Sequence, residues 1–107
     1  MPQADLKYSS DLGLDALALM ADIQTLIARH DSGAGQCKAR AYPADIFQHS
    51  HFVLELAILR KPHRDQAFRD ALLDDLAILV DKYLPSGTER AVELRFSGED
   101  YRPAVVG

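Results

Sequence analysis

The sequence predicts an α/β two-layer sandwich, a duplicated β-α-β arrangement with both helices on one face of a four-stranded sheet. Three observations carry this expectation. Three short stretches of period-two alternation and one nearly continuous apolar run read as four strands along 107 residues. Two longer stretches with apolar residues every third or fourth position separate the first strand from the second and the third from the fourth. Each of those helices is long enough to carry the chain between parallel strands, a connection that needs a dozen or more residues.

The first strand is Ala4 to Ser9, where Leu6 and Tyr8 alternate with Asp5 and Lys7. Ser10, Asp11 or Asp15 supplies a helix cap. In "ALALMADIQTLIARH", Leu17, Met20, Gln24 and Ile27 form one stripe, flanked by Leu19, Ile23 and Leu26. Gly33 and Gly35 then break the helix. In "QCKARAY", Cys37, Ala39 and Ala41 share one face and Lys38, Arg40 and Tyr42 the other, until Pro43 interrupts.

"HFVLELAIL" is almost continuously apolar and reads as a central strand covered on both faces, with Glu55 as its one charge. "RKPHRD" breaks the chain, and Pro62 suits the approach to a helix. Phe68, Leu72, Leu76, Leu79 and Tyr83 recur at helical spacing, with Asp65, Arg69, Asp70, Asp74 and Asp81 on the polar side. "PSG" stops this helix. "ERAVELRF" alternates as the last strand, and the tail from Ser97 is irregular or packs on a neighbour. The chain is therefore a single domain, residues 1–107, of two units at about 2–45 and 50–97.

Composition narrows the function classes. Twelve Lys and Arg against sixteen Asp and Glu give a net charge of −4, which argues against nucleic acid or an anionic membrane as partner. No apolar run approaches the roughly 18 residues of a membrane span, and Asp5 interrupts any signal-peptide core. Cys37 is the only cysteine, so an intrachain disulfide and a paired-cysteine metal site are excluded; a reducing cytoplasm is the expected location.

Pro2 is the first candidate for chemistry. With Met1 removed, its nitrogen is a secondary amine; with Met1 retained, it is an amide and no base. Burial and nearby cations disfavour the charged amine, so Lys38 and Arg40 are expected to lower its pKa. The same two cations suit a carboxylate or an enolate. Arg60, Lys61, His63 and Arg64 form a second basic cluster at the C-terminal end of the core strand, where open α/β sheets place ligands. Glu55 needs a partner among these cations, or it serves a structural ion pair in a subunit interface. His49 and His51 have a metal-like spacing but no third ligand. No phosphate loop, Ser-His-Asp set or zinc motif is present, and neither cofactor nor metal is expected.

"MPQADLKYSSDL", followed by a helix, "KARAY", "HFVLELAIL" and a basic turn before an amphipathic helix, resembles the 5-carboxymethyl-2-hydroxymuconate isomerase family of the tautomerase superfamily, from Pro2 to about Phe96. The resemblance implies a tautomerase-like homotrimer with Pro2 as catalytic base. It further implies a small anionic unsaturated carboxylate as substrate, isomerised through a dienol in the course of aromatic degradation. Lys38 and Arg40 fall on the family's strand arginine pair. The family's Gly-Arg after the core strand is replaced by "LRKPHRD", leaving Arg60, Lys61 and Arg64 as stand-ins, and its core-strand His by Val53 or Leu54. The alternatives are a non-catalytic ferredoxin-like ligand-binding or oligomerisation module, in which Pro2 is incidental, and a family member that has lost the reaction.

Overall fold

The computed structural model describes residues 1–107. Its elements are β1 (Gln3–Ser9), a 3₁₀ turn (Ser10–Leu12), α1 (Ala16–His30), β2 (Lys38–Ala44), β3 (His51–Ile58), α2 (Gln66–Asp81) and β4 (Glu89–Phe96). The sheet order is β2-β1-β3-β4. β1 is parallel to β2 and β3 to β4, while β1 and β3 meet antiparallel at the centre. Each half thus contributes one central and one edge strand. This pairing is the one expected of two β-α-β units, and it rules out the ferredoxin-like architecture, in which the two strands of a unit do not pair side by side.

Alternation decides the two faces of the sheet. Ala4, Leu6 and Tyr8 of β1 and Phe52, Leu54, Leu56 and Ile58 of β3 point to one side and pack on Leu19, Ile23, Leu26 and Ile27 of α1 and on Leu72, Leu76 and Val80 of α2. The apolar centre of α1 is therefore displaced from the predicted stripe, and Leu17, 80% exposed, lies outside it. Gln24 faces inward for a polar reason, because its Oε1 accepts the Cys37 backbone N–H at 2.7 Å and so ties α1 to the start of β2. Both helices open on aspartate caps: Asp15 accepts from the Ala18 N–H and Asp65 from the Phe68 N–H.

The opposite face carries no helix, so the expectation that the core strand is covered on both sides does not hold for the single chain. Register places Arg40, Asp5, Glu55 and Glu93 in one row across all four strands of this face. The three adjacent carboxylates of that row are met from within the face. Arg40 Nε donates to Asp5 at 2.8 Å, and Glu55 pairs with Lys7 at 3.1 Å and Arg95 at 3.4 Å. The partners of Glu55 are thus sheet residues, not the basic turn or the β2 cations. Pro43 does not end β2, which continues to Ala44 with Pro43 opposite Tyr8. An edge strand tolerates the missing N–H, since only one side of it has a neighbour to bond.

Candidate functional site

The start of β1, the start of β2 and the ends of β3 and β4 lie at one end of the sheet, as the parallel and antiparallel pairings require. Pro2 sits there, its side chain fully buried and its carbonyl accepting the Lys38 N–H at 2.9 Å. The chain start is thus held in the sheet ladder. The terminal amine, on Met1, has its pKa lowered from the usual value, by burial first and then by the charges of Lys61 and Arg64.

The cations that bear on the amine are therefore those of the basic turn. Lys38 and Arg40 project from the open face instead, Lys38 Nζ donating to Gln36 and Arg40 donating to Asp5 and Gln3. Cys37 adjoins the amine; burial pushes its thiol up to about 11, against the lowering influence of Arg40 and of the terminus.

The basic turn separates into distinct roles. Arg64 is buried and committed: Nε and Nη2 donate to Asp31 Oδ2 at 3.1 and 2.9 Å, and Nη1 donates to the Leu59 carbonyl at 2.8 Å. His63 Nε2 meets the same carboxylate oxygen at 2.8 Å. Lys61 is only partly exposed and has no carboxylate partner, and the Arg60 guanidinium lies over the Phe96 ring, 4.1 Å from its centroid. Arg60, Lys61, Arg64, Asp65, Arg69 and Phe96 line a groove of about 500 Å³. The tail closes over this end as well. Ser97 N–H donates to the Ile58 carbonyl, and Gln3 Nε2 donates to the Tyr101 hydroxyl at 3.2 Å, so the tail packs on its own chain as far as Tyr101, while Val105 and Val106 are exposed.

A second hollow of about 400 Å³ shares Arg60 and Lys61 with this groove and is walled by Glu99 and Tyr101 of the tail, and further hollows lie elsewhere. One of about 380 Å³ beside Asp81 and Arg90 and another beside His49 and His51 are at the far end of the sheet, where β4 begins. His51 Nδ1 is 2.6 Å from the His49 carbonyl, and no group of three or more His, Cys, Asp or Glu is gathered to hold a metal. Sequence reasoning overlooked Arg69, Phe96 and Tyr101 at the amine end. Arg69 reads as one of several charges on a solvated helix face, and Phe96 as an ordinary strand apolar residue; only the topology brings them to the turn.

The chain is thus an open-faced, duplicated β-α-β sandwich with Pro2 buried at the end of the sheet that bears the basic turn. The fold is shared with solved proteins of low sequence identity. A 5-carboxymethyl-2-hydroxymuconate isomerase from Deinococcus radiodurans R1 superposes with a TM-score of 0.76 at 18% identity, over 99% of this chain and 90% of that one. A 5-carboxymethyl-2-hydroxymuconate delta-isomerase gives 0.71 at 22% identity, over 100% and 89%. A macrophage migration inhibitory factor-like protein from Entamoeba histolytica gives 0.64 at 11% identity, over 96% and 95%. No protein-family model and no curated protein matches the chain by sequence.

Proposed function

We propose that this chain is a tautomerase acting on an unsaturated 2-hydroxy or 2-oxo carboxylic acid of the 5-carboxymethyl-2-hydroxymuconate type, with Pro2 as general base and then general acid. The observation that carries the reading is the placement of the buried Pro2 at the end of the sheet that also bears the basic turn, where burial and the charges of Lys61 and Arg64 lower the pKa of the terminal amine. Loss of Met1 transfers the amine one residue inward, onto a residue whose side chain is already fully buried, where desolvation disfavours the charged form further.

The reaction is a proton relocation without change of oxidation state. The prolyl nitrogen takes the enol O–H proton, the electron pair moves through the conjugated system as a dienolate, and the resulting prolinium returns the proton to carbon. Lys61 and Arg60 hold the carboxylate and offset the developing negative charge, while Arg64, bound to Asp31, positions the turn. Lys38 and Arg40 face away from their own chain start and reach substrate only where another copy brings its chain start against the open face. The reading takes from the family resemblance a homotrimer, and light scattering is expected to give three times 11.9 kDa; a monomeric mass removes the two strand cations from the site.

Ketonisation of a 2-hydroxymuconate-type dienol tests the chemistry, with intact mass establishing that Met1 is absent. Pro2→Ala is expected to lower the rate by about 10²-fold or more, as for loss of a positioned base. Equal rates for the two proteins, or full activity with Met1 retained, exclude Pro2 from the mechanism.

A further inference from the structure

His49 and His51, at the far end of the sheet from the chain start, take no part in the proposed reaction. Both are exposed, and they line one hollow of about 350 Å³ together with Glu89 and Arg90 of β4. Their backbone is fixed from beneath. The buried Ser9 hydroxyl accepts the His51 N–H at 2.8 Å and donates to the His51 carbonyl at 3.2 Å, while Ser50 Oγ donates to Asp11 at 3.0 Å. His49 is the one non-glycine residue with a left-handed backbone, at φ 63°. Such a conformation persists where the surroundings impose it, and it recurs at ligand clamps.

The two rings are prepared differently. His51 Nδ1 lies 2.6 Å from the His49 carbonyl. A carbonyl can only accept, so the proton of the neutral ring sits on Nδ1 and the Nε2 lone pair is left for a ligand. A backbone carbonyl on the far nitrogen is the usual support of a metal-bound imidazole. His49 gives only its carbonyl to this contact, and its ring is uncommitted. The chain's other two histidines, His30 and His63, each face an aspartate, at 2.7 and 2.8 Å.

The charge around the hollow suits a cation. Arg90 is turned onto Asp81, its Nε and Nη2 donating at 2.7 and 3.0 Å, whereas Glu89, opposite His51 in the β3–β4 register, has no cationic partner. No third His, Cys, Asp or Glu completes a ligand set, which excludes the closed site of a structural zinc. Two imidazoles and open positions remain, a nitrogen set that prefers late transition ions to magnesium or calcium.

We propose that His49 and His51 form an open two-imidazole site for a divalent transition ion, with water completing the coordination and Glu89 supplying counter-charge. The site is independent of the chemistry at the chain start.

Calorimetric titration of the full chain with Ni²⁺, and with Mg²⁺ as the hard-cation control, tests it. One Ni²⁺ per chain is expected to bind, and Mg²⁺ to give no binding. His51→Gln and, separately, His49→Gly are each expected to weaken Ni²⁺ by about tenfold or more, and His30→Gln to leave it unchanged. Glycine keeps the left-handed backbone at position 49 without strain, and circular dichroism checks that each variant is folded. Added Ni²⁺ is further expected to raise the urea midpoint of the wild type but not of His49→Gly. Undiminished affinity in His49→Gly and His51→Gln, an equal loss in His30→Gln, or Mg²⁺ binding as tightly as Ni²⁺ overturns the site.

Discussion

Arg64 is the one charged residue in the buried interior, its side chain 2% exposed, and its charge is met by Asp31 at the end of α1. Donation from His63 first, then from Arg64 and the Gly33 N–H, outweighs burial and holds the Asp31 carboxyl down at about 2. A carboxyl depressed on folding stabilises the native state above its unfolded pKa, near 3.8, and loses that contribution as the pH falls through about 2. The contribution at neutral pH is on the order of 2 kcal/mol. Urea midpoints measured from pH 7 downward are therefore expected to fall more steeply below pH 3.8 for the wild type than for Asp31→Asn. At neutral pH, Arg64→Met is expected to cost about 3 kcal/mol, because it strands a largely buried carboxylate; parallel titration curves and an unshifted midpoint refute this account. The string "RKPHRD" announces a basic turn without saying which cation turns inward. That choice depends on Asp31, 33 positions upstream, and no local pattern in the sequence reveals so distant a partner.

The two aspartate caps and the helix stripes are local features; periodicity located both helices and three strands, and an apolar run the fourth. Asp65 illustrates how much rests on one such cap. It closes the break after Pro62, aims the start of α2 at the groove and accepts the Phe68 N–H at 2.9 Å. Asp65→Ala is expected to lower stability by about 1 kcal/mol in chemical unfolding, and no change in midpoint denies the cap any role. The elements whose description the structure changed are those governed by neighbours. β2 passes through Pro43 because its outer side has no strand to bond, a circumstance invisible until the order β2-β1-β3-β4 is known. Leu17 turns outward and Val80 inward, although helical spacing alone admits either face to the core. Gln24 interrupts an apolar stripe in order to hold the Cys37 N–H, a contact across thirteen positions.

At the scale of the whole molecule, parallel pairing within each half follows from the length of the crossover helices, whereas the joining of the halves through β1 and β3 does not. The cationic groove exists because of that joining. β3 delivers the basic turn, β4 delivers Phe96 on one side of it, and β1 brings the chain start to its other side. Sequence patterns supplied Pro2 and the turn but not Arg69 or Phe96, since their meeting is a property of topology. The central pairing has a consequence for the order in which the molecule comes apart. β1 and β3 are each bonded on both sides, and to each other across the two halves, while β2 and β4 have one bonded side. Neither half can retain its inner strand's full set of partners once the other is lost. Hydrogen–deuterium exchange is expected to find the slowest amides along Leu6 and Leu54, released only by unfolding of the entire chain, with outer-strand amides such as those of β4 released earlier. If β1 amides exchanged while β3 remained protected, the halves would be separable folding units; the shared seam instead makes the duplicated molecule open as one.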